Sequence, residues 1–194
     1  MEQLQQRKGR YSVEEYFKLL EQSEEKFEYH NGEVYMMAGG TSNHNIISLN
    51  TGRRILEGLD NKDCIGYGSD MKVEIAKNQS YVFPDVLVVC GPIDFAEDRN
   101  DTIKNPVLIV EVLSPSTEAY DRGLKFRMYR SLSSLQEYVL ISQEEPLVET
   151  FYRQNDKSWH YRVAQGMDAK VTLASIEHTI NLKDIYQKIN LSQM

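Results

Sequence analysis

The chain has 194 residues, 41% of them hydrophobic, which is enough for one domain with a substantial core. Its 29 acidic and 22 basic residues give a net charge of −7, which argues against a general nucleic-acid coat protein but leaves room for a local basic surface. No stretch approaches the roughly 20 apolar residues of a membrane span, and the polar start MEQLQQRKGR lacks the apolar segment of an export signal. We therefore expect a cytoplasmic protein with no membrane partner.

The first predicted elements are a short helix and a β-hairpin. SVEEYFKLLEQ (12–22) is typical of a helix in which Ser12 is the N-cap and Glu15 completes a capping box. KFEYHNGEVYMMA follows as a hairpin, because Asn31-Gly32 is the strongest short turn signal between two strand-like runs.

The hairpin and the next helix both carry polar side chains. If the turn has two residues, His30 pairs with Glu33, and Glu28 faces the same side of the hairpin as both. The segment 41–60 predicts a helix with a broad apolar stripe, and His44 lies in its first turn.

The rest of the chain predicts a mixed α/β order. CIGYGSDMKVEIA (64–76) and YVFPDVLVV (81–89) are typical of strands. After a polar loop come a strand around Glu111, a helix over about 116–131, a strand over 137–142, a hairpin of LVETFYRQ and WHYRVA, and a helix over 181–189. Cys64 and Cys90 form no C-x-x-C motif and have no His tract beside them, so we expect reduced core thiols rather than a disulfide or a zinc site.

Glu111 is the one charge within an apolar stretch, NPVLIVEVLSPS (105–116). A strand that is apolar on both faces is typical of the centre of a covered sheet, where an ionised carboxylate costs several kcal/mol unless it is compensated. Asp85 follows Pro84 at the start of the preceding strand, and the two carboxylates converge if the strands are neighbours. Such a pair binds either a proton or a cation, and its oxygen ligands suit Mg²⁺ or Mn²⁺.

The helix after Glu111 offers a cation. On a helical wheel, Leu124, Met128 and Leu132 define the stripe that faces the sheet, with Asp121 inside it and Lys125 on its margin. Arg127 and Arg130 fall on the opposite, solvent-facing side. Lys125 could therefore reach the two carboxylates and stabilise charge on a phosphoryl oxygen or orient a water.

Three segments, FPDVLVV, LIVEVLSPSTEAYDRGLKFRMYR and LQEYVLI, resemble the Uma-type family of endonucleases, a bacterial branch of the PD-(D/E)XK nuclease superfamily. The resemblance runs from about Phe27 to Tyr152. The superfamily pattern expects lysine at position 113, where this chain has Leu113, and in this family the lysine is thought to have moved to the following helix, which offers Lys125.

The resemblance implies a restriction-endonuclease-like α/β core, a mixed central sheet flanked by helices, with the metal at Asp85 and Glu111. It also implies an acidic helper residue, for which Glu33 and Glu28 are the candidates. His44 would join them as a phosphate or metal contact. We predict one domain over 1–194 with its core at about 27–152.

Plainer roles remain open for each residue. Asp85 and Glu111 could be structural acids satisfied by Lys125 and backbone amides, and Lys125 could form an i,i+4 pair with Asp121. Glu28 and Glu33 could be the solvent face of a hairpin, and His44 a surface residue at a helix start.

The function predicted from these residues and the resemblance is a Mg²⁺- or Mn²⁺-dependent endonuclease that hydrolyses phosphodiester bonds, in DNA rather than RNA. The alternative is a nuclease-like fold that no longer cuts and serves as a nucleic-acid-binding or protein-interaction module. A homodimer is expected by analogy, because two sites are needed to cut two strands.

Overall fold

The computed structural model describes residues 5–7, 9–37 and 39–190. Its helices are α1 (Val13–Gln22), α2 (Ser42–Leu59), α3 (Glu118–Tyr120), α4 (Phe126–Tyr129) and α5 (Leu182–Ile185). A π-helical turn, Asp121–Lys125, joins α3 to α4, and we call the continuous element 118–129 the interrupted helix. Short 3₁₀ turns lie at Ala76–Asn78 and Ala174–Ile176.

The strands form two sheets of six and one of two. They are β1 (Gln5–Arg7), β2 (Phe27–His30), β3 (Glu33–Met36), β4 (Cys64–Gly68), β5 (Lys72–Ile75), β6 (Ser80–Val82), β7 (Val86–Cys90), β8 (Thr102–Ile103), β9 (Leu108–Leu113), β10 (Glu137–Ser142), β11 (Leu147–Arg153), β12 (Trp159–Gln165), β13 (Lys170–Leu173) and β14 (His178–Asn181). The hairpin sheet has the order β1-β3-β2-β6-β5-β8, and the core sheet has the order β12-β11-β10-β9-β7-β4. Both are mixed, since β5 pairs with β8 and β9 with β10 in parallel. The predicted class, mixed sheet flanked by helices, is confirmed.

The core sheet is covered on both faces by helices. On one face, α2 packs its buried Ile47, Ile55 and Leu59 against β7 and β9. On the other face, the interrupted helix packs Phe126 and Tyr129 in a second apolar cluster. All six residues of β9 are buried, as its apolar sequence predicts for a central strand. No helix of the described residues is both long and apolar enough to cross a bilayer.

The predicted N-terminal helix and hairpin are confirmed. The Ser12 side chain accepts from Glu15 N, and the Glu15 side chain accepts from Ser12 N, so the capping box is complete. In the hairpin, His30 pairs with Glu33 across a two-residue turn in which Asn31 has φ 47° and Gly32 φ 94°. Asparagine and glycine are the residues that adopt this left-handed backbone most readily. The last residue of the predicted hairpin, Ala38, lies outside the described residues.

Two predicted strands are each wrong in extent, because each divides between the sheets. The segment 64–76 forms β4 in the core sheet and β5 in the hairpin sheet, with a turn between them. The segment 81–89 forms β6 in the hairpin sheet and β7 in the core sheet, and the chain crosses at Phe83-Pro84-Asp85. Proline has no N–H for a sheet hydrogen bond, so it fits the crossover and not a continuous strand.

The predicted helical wheel is correct for Asp121 and Met128, which are buried, and for Arg127 and Arg130, which are exposed, but it is wrong for Leu124. Leu124 lies within the π-helical turn Asp121–Lys125, whose wider winding departs from the α-helical wheel, and it is exposed while Asp121 and Lys125 at the two ends of the turn are buried. Lys125 thereby moves from the predicted margin of the buried stripe to its centre. The predicted helix over 116–131 is shorter, at 118–129.

Three further features differ from the sequence interpretation. Cys64 and Cys90 face each other across β4 and β7 and form a disulfide, so the expectation of reduced thiols is wrong. Cross-strand pairing brings these cysteines together although no local motif marks them. The hairpin of β13 and β14 was not predicted, and the predicted helix over 181–189 reduces to α5.

Candidate active site

A cavity of about 470 Å³ opens where the hairpin sheet, the core sheet, the start of α2 and the interrupted helix meet. Six acidic or basic residues line it: Glu28, His44, Asp85, Glu111, Asp121 and Lys125. They come from five separate parts of the chain, which the two sheets and two helices bring together. The hydrogen bonds, ion pairs and burial of each residue determine its charge and hence the ligands that the cavity can bind.

Glu111 lies at the centre of β9 and is in contact with one cation. Lys125 Nζ is 2.9 Å from its Oε1, and the Tyr129 hydroxyl donates to the same oxygen at 3.0 Å. Burial raises the pKa of Glu111 well above its usual value, and the nearby Asp121 and Asp85 carboxylates add to the effect against Lys125. The negative charge of Glu111 is therefore incompletely compensated by the protein.

Lys125 is shared among several acceptors. Its Nζ lies 3.2 Å from Glu28 and 3.7 Å from Asp121, and it donates to the Phe83 carbonyl at 3.2 Å. Burial opposes the charged form, but Glu111, Glu28 and Asp121 together raise the pKa of Lys125 well above its usual value. The ammonium is thus held charged inside the protein and bridges the hairpin sheet to the core sheet.

Glu28, on β2, is held in its charged form by its surroundings. Its Oε1 accepts from Phe83 N at 3.0 Å, and its Oε2 accepts from the Tyr120 hydroxyl at 2.7 Å. Burial raises its pKa, but Lys125 and His30 outweigh burial and lower the pKa of Glu28 to about 2. Glu28 is therefore a fixed anion that holds Lys125 from the hairpin side.

Asp85 sits at the crossover between the sheets, one residue before β7. Val86 pairs with Val110 in the neighbouring strand, which places Asp85 beside Glu111. Its Oδ2 accepts from Val112 N at 2.7 Å, and its Oδ1 is 2.8 Å from His44 Nε2. Burial lowers the pKa of His44, but the contact with Asp85 outweighs it and raises that pKa overall.

The cavity holds more negative than positive charge. Glu28, Asp85, Glu111 and Asp121 contribute four carboxyl groups against the single ammonium of Lys125. With every acid ionised, the sum is −3 with His44 neutral and −2 with His44 protonated, and each proton that Glu111 or Asp121 binds reduces the excess by one. Burial raises the pKa of Asp121 to about 6 against the attraction of Lys125, and the Glu28 and Asp85 carboxylates add to this rise. Across the described residues, no three His, Cys, Asp or Glu side chains are arranged so that together they could hold a metal ion. A cation here would take its remaining ligands from water or substrate.

The structure brings together five of the six residues that the sequence singled out, namely Glu28, His44, Asp85, Glu111 and Lys125. It does not bring Glu33 into the cavity, because the Glu33 carboxylate accepts from the Tyr35 hydroxyl at 2.6 Å on the outer part of the hairpin.

Sequence reasoning missed the two tyrosine hydroxyls on the interrupted helix that contact the acids, Tyr120 to Glu28 and Tyr129 to Glu111. The spacing of Asp121, Lys125 and Tyr129 at four-residue intervals was a signal for Tyr129. No pattern in the sequence marks Tyr120 as a partner of Glu28.

Comparison with known families matches residues 13–183 to the Uma2 model, whose description is "Putative restriction endonuclease". Two Synechocystis sp. proteins, both described as uncharacterized, are similar to the chain. The protein slr1290 is 40% identical over 178 residues, which cover 91% of each chain. The protein sll1609 is 35% identical over 157 residues, which cover 81% of this chain and 89% of the relative.

Among solved structures, one from Anabaena variabilis, titled as "a putative nuclease belonging to DUF820", has the same fold. It superposes with a TM-score of 0.71 over 93% of this chain and 99% of its own, at 20% sequence identity.

Proposed function

Because this chain belongs to the Uma2 family of restriction-endonuclease-like proteins, we propose that it is a divalent-metal-dependent endonuclease that hydrolyses phosphodiester bonds in DNA. The observation that carries this proposal is the charge of the cavity, where four carboxylates share one ammonium. A core ion pair needs only one acid for each base, so the excess of negative charge favours a site for a cation.

The donor set fits Mg²⁺ or Mn²⁺. Asp85 and Glu111 supply carboxylate oxygens side by side, and Mg²⁺ is usually held by one or two carboxylates with water and substrate phosphate as the other ligands. The raised pKa of Glu111 supports the same assignment, since its charge is incompletely compensated by the chain. When bound, the metal would supply a nucleophilic water at neutral pH and polarise the phosphate.

Lys125 and His44 would act on the substrate from two sides of this pair. Lys125 is fixed by Glu28 and the Phe83 carbonyl, so its ammonium is preorganised to stabilise charge that develops on a phosphoryl oxygen. His44, whose pKa Asp85 raises, lies at the cavity wall and would contact a phosphate as a cation. Glu28 would serve as a positioning residue for Lys125.

A cleavage assay on plasmid DNA tests the proposal directly. Cleavage should require Mg²⁺ or Mn²⁺. The rate should fall by about 10²–10³ or more in Asp85→Asn and in Glu111→Gln, because each change replaces a charged carboxylate ligand of the metal by a neutral amide. Glu137→Gln is the matched control, because Glu137 is also a buried acid of the core sheet but does not line the cavity, and it should cleave normally. Cleavage that persists in EDTA would reject the mechanism.

Thermal melts test the metal site without substrate. An ion that binds only the folded protein at ten times its Kd stabilises it by about 1.4 kcal/mol, or roughly 3–6 °C in Tm for a chain of this size. Mn²⁺ should raise the Tm of the wild type and of Glu137→Gln by this amount and leave that of Glu111→Gln unchanged. A wild-type Tm that does not respond to Mg²⁺ or Mn²⁺ would instead favour a nuclease-like binding module.

A further inference from the structure

A second cavity, of about 430 Å³, lies behind the first, between the hairpin turn and the outer side of the interrupted helix. Its floor is formed by the largely buried His30, Ser80 and Met128. Its rim is formed by exposed side chains from three segments: Asn31, Lys77, Gln79, Leu124 and Arg127. The π-helical turn contributes to the rim, because it places Leu124 on the surface beside Arg127.

The charge of this second cavity is opposite to that of the first. Its lining includes Lys77 and Arg127 and no carboxylate. Many other basic residues of this acidic chain are paired with acids, among them Lys72 with Asp101 and Arg122 with Glu149. In the part of the chain that the structure describes, neither Lys77 nor Arg127 has an acidic partner.

The neutral lining groups are suited to the same kind of ligand. The side-chain amides of Asn31 and Gln79 are exposed at the rim and can donate hydrogen bonds to an anion. At the floor, His30 Nδ1 is buried and has no hydrogen-bond partner among the described residues. Two free cations beside amide donors, with no acid, are suited to a phosphate group.

One layer of side chains separates the two cavities. Tyr120 lines the first cavity and His30 lines the second, and the Tyr120 hydroxyl is 2.6 Å from His30 Nε2. Glu28 joins the same wall through its hydrogen bond with Tyr120. A ligand that passes over this wall would place one anionic group in each cavity.

On the basis of the proposed nuclease function, we propose that the second cavity binds a backbone phosphate of the same nucleic-acid strand whose cleaved phosphate enters the first. Lys77 and Arg127 would neutralise this neighbouring phosphate. These two cations would increase the affinity of the acidic chain for nucleic acid, next to a cavity whose own carboxylates repel phosphate.

The salt dependence of DNA binding tests this subsite. Fluorescence anisotropy with a labelled DNA duplex in Mg²⁺ would use Asp85→Asn as the background, so that no cleavage interferes. Adding Lys77→Ala or Arg127→Ala should each reduce the slope of log Kd against log salt by about 0.7–0.9, and the pair by about 1.4–1.8. Arg130→Ala is the matched control, because Arg130 lies three residues further on, packs over the Phe126 ring and is not part of the lining. Its slope should stay unchanged.

The outcomes separate the subsite from the proposed function. Equal slopes for Arg127→Ala and Arg130→Ala beside normal metal-dependent cleavage by the wild type would overturn the subsite alone. A slope that depends on Arg127 in a protein that cuts no DNA would support the subsite and overturn the nuclease. Titration with inorganic phosphate completes the test: saturable binding that needs Arg127, with an unchanged DNA slope, would assign the cavity to free phosphate and overturn the proposal.

Discussion

Two buried glutamates on adjacent strands of the core sheet, Glu111 on β9 and Glu137 on β10, are compensated in opposite ways. Glu137 accepts from Ser175 N at 2.9 Å and from Ser175 Oγ at 2.8 Å. Burial raises its pKa, and these neutral donors and the backbone of Ala174 oppose the rise without a shared cation. Glu111 shares Lys125 with two further acids. Since Glu111 pairs with Leu140, three residues beyond Glu137, the two glutamates lie on opposite faces of the sheet. Burial alone therefore does not distinguish a structural acid from a candidate site; the way its charge is balanced does.

Removing Lys125, the cation that the acids around Glu111 share, should give the largest difference in stability between the two glutamate sites. Lys125→Met leaves Glu28, Glu111 and Asp121 buried without the ammonium that they share, which should lower the free energy of unfolding by about 3–5 kcal/mol at pH 8. Glu137→Gln keeps an acceptor for Ser175 and should cost less than about 1 kcal/mol. Urea unfolding of both variants measures the difference.

The pH dependence of the same variant provides its control. Lys125 lowers the pKa values of Glu28, Glu111 and Asp121, so without it all three rise, and the folded state regains stability as these acids become protonated at lower pH. The deficit of Lys125→Met should therefore shrink between pH 8 and pH 5.5. A deficit that is the same at both pH values would mean that lost packing, and not unpaired charge, destabilises the variant.

Much of this contrast could be predicted from sequence, because its signals are local. An acid within an apolar strand predicts a buried charge at Glu111, and a lysine on the following helix predicts its partner, Lys125. The capping box of α1 and the Asn31-Gly32 turn could also be predicted from sequence, because each is determined by a few consecutive residues.

The remainder depends on contacts between distant parts of the chain. Apolar periodicity predicts that 64–76 and 81–89 are extended, but only the pairing partners decide which sheet each half joins. The π-helical turn and the disulfide of Cys64 with Cys90 likewise depend on packing that no local pattern encodes. Lys125 was therefore predicted as a partner of Glu111, while its second role, holding Glu28, was not.

A smaller difference in stability should follow from removing one hydroxyl donor at each glutamate, that of Tyr129 at Glu111 and that of Ser175 at Glu137. Tyr129→Phe removes a donor from Glu111 and should lower the free energy of unfolding by about 1.5–3 kcal/mol, whereas Ser175→Ala leaves the Ser175 N–H on Glu137 and should cost about 1 kcal/mol. Only Tyr129→Phe should also reduce the rise in Tm with Mn²⁺, because that hydroxyl orients a proposed ligand. Equal Mn²⁺ responses in the two variants would show that Glu111 needs no orientation.

The smallest expected effect is on the change in the free energy of unfolding with pH. Asp121 has a pKa of about 6, raised by burial from its usual value of about 3.9, so its contribution to stability is present at low pH and is lost as pH rises through 6. Between pH 5 and pH 8 this loss is about 1 kcal/mol, and Glu28 stays ionised throughout because its pKa is about 2. Asp121→Asn should flatten this slope, and the exposed Asp94→Asn should not. Identical slopes in the two variants would assign the titration to another group.

The crossover at Phe83-Pro84-Asp85 couples the position of the hairpin sheet to that of the core sheet at the cavity. The Phe83 N–H donates to Glu28 and its carbonyl accepts from Lys125, while Asp85, two residues on, lies beside Glu111. Any motion that separates the two sheets must bend this short segment, which a proline stiffens, and must stretch the hydrogen bond between the Phe83 carbonyl and Lys125 on the interrupted helix. We therefore expect separation of the two sheets and opening of the cavity to occur as one motion.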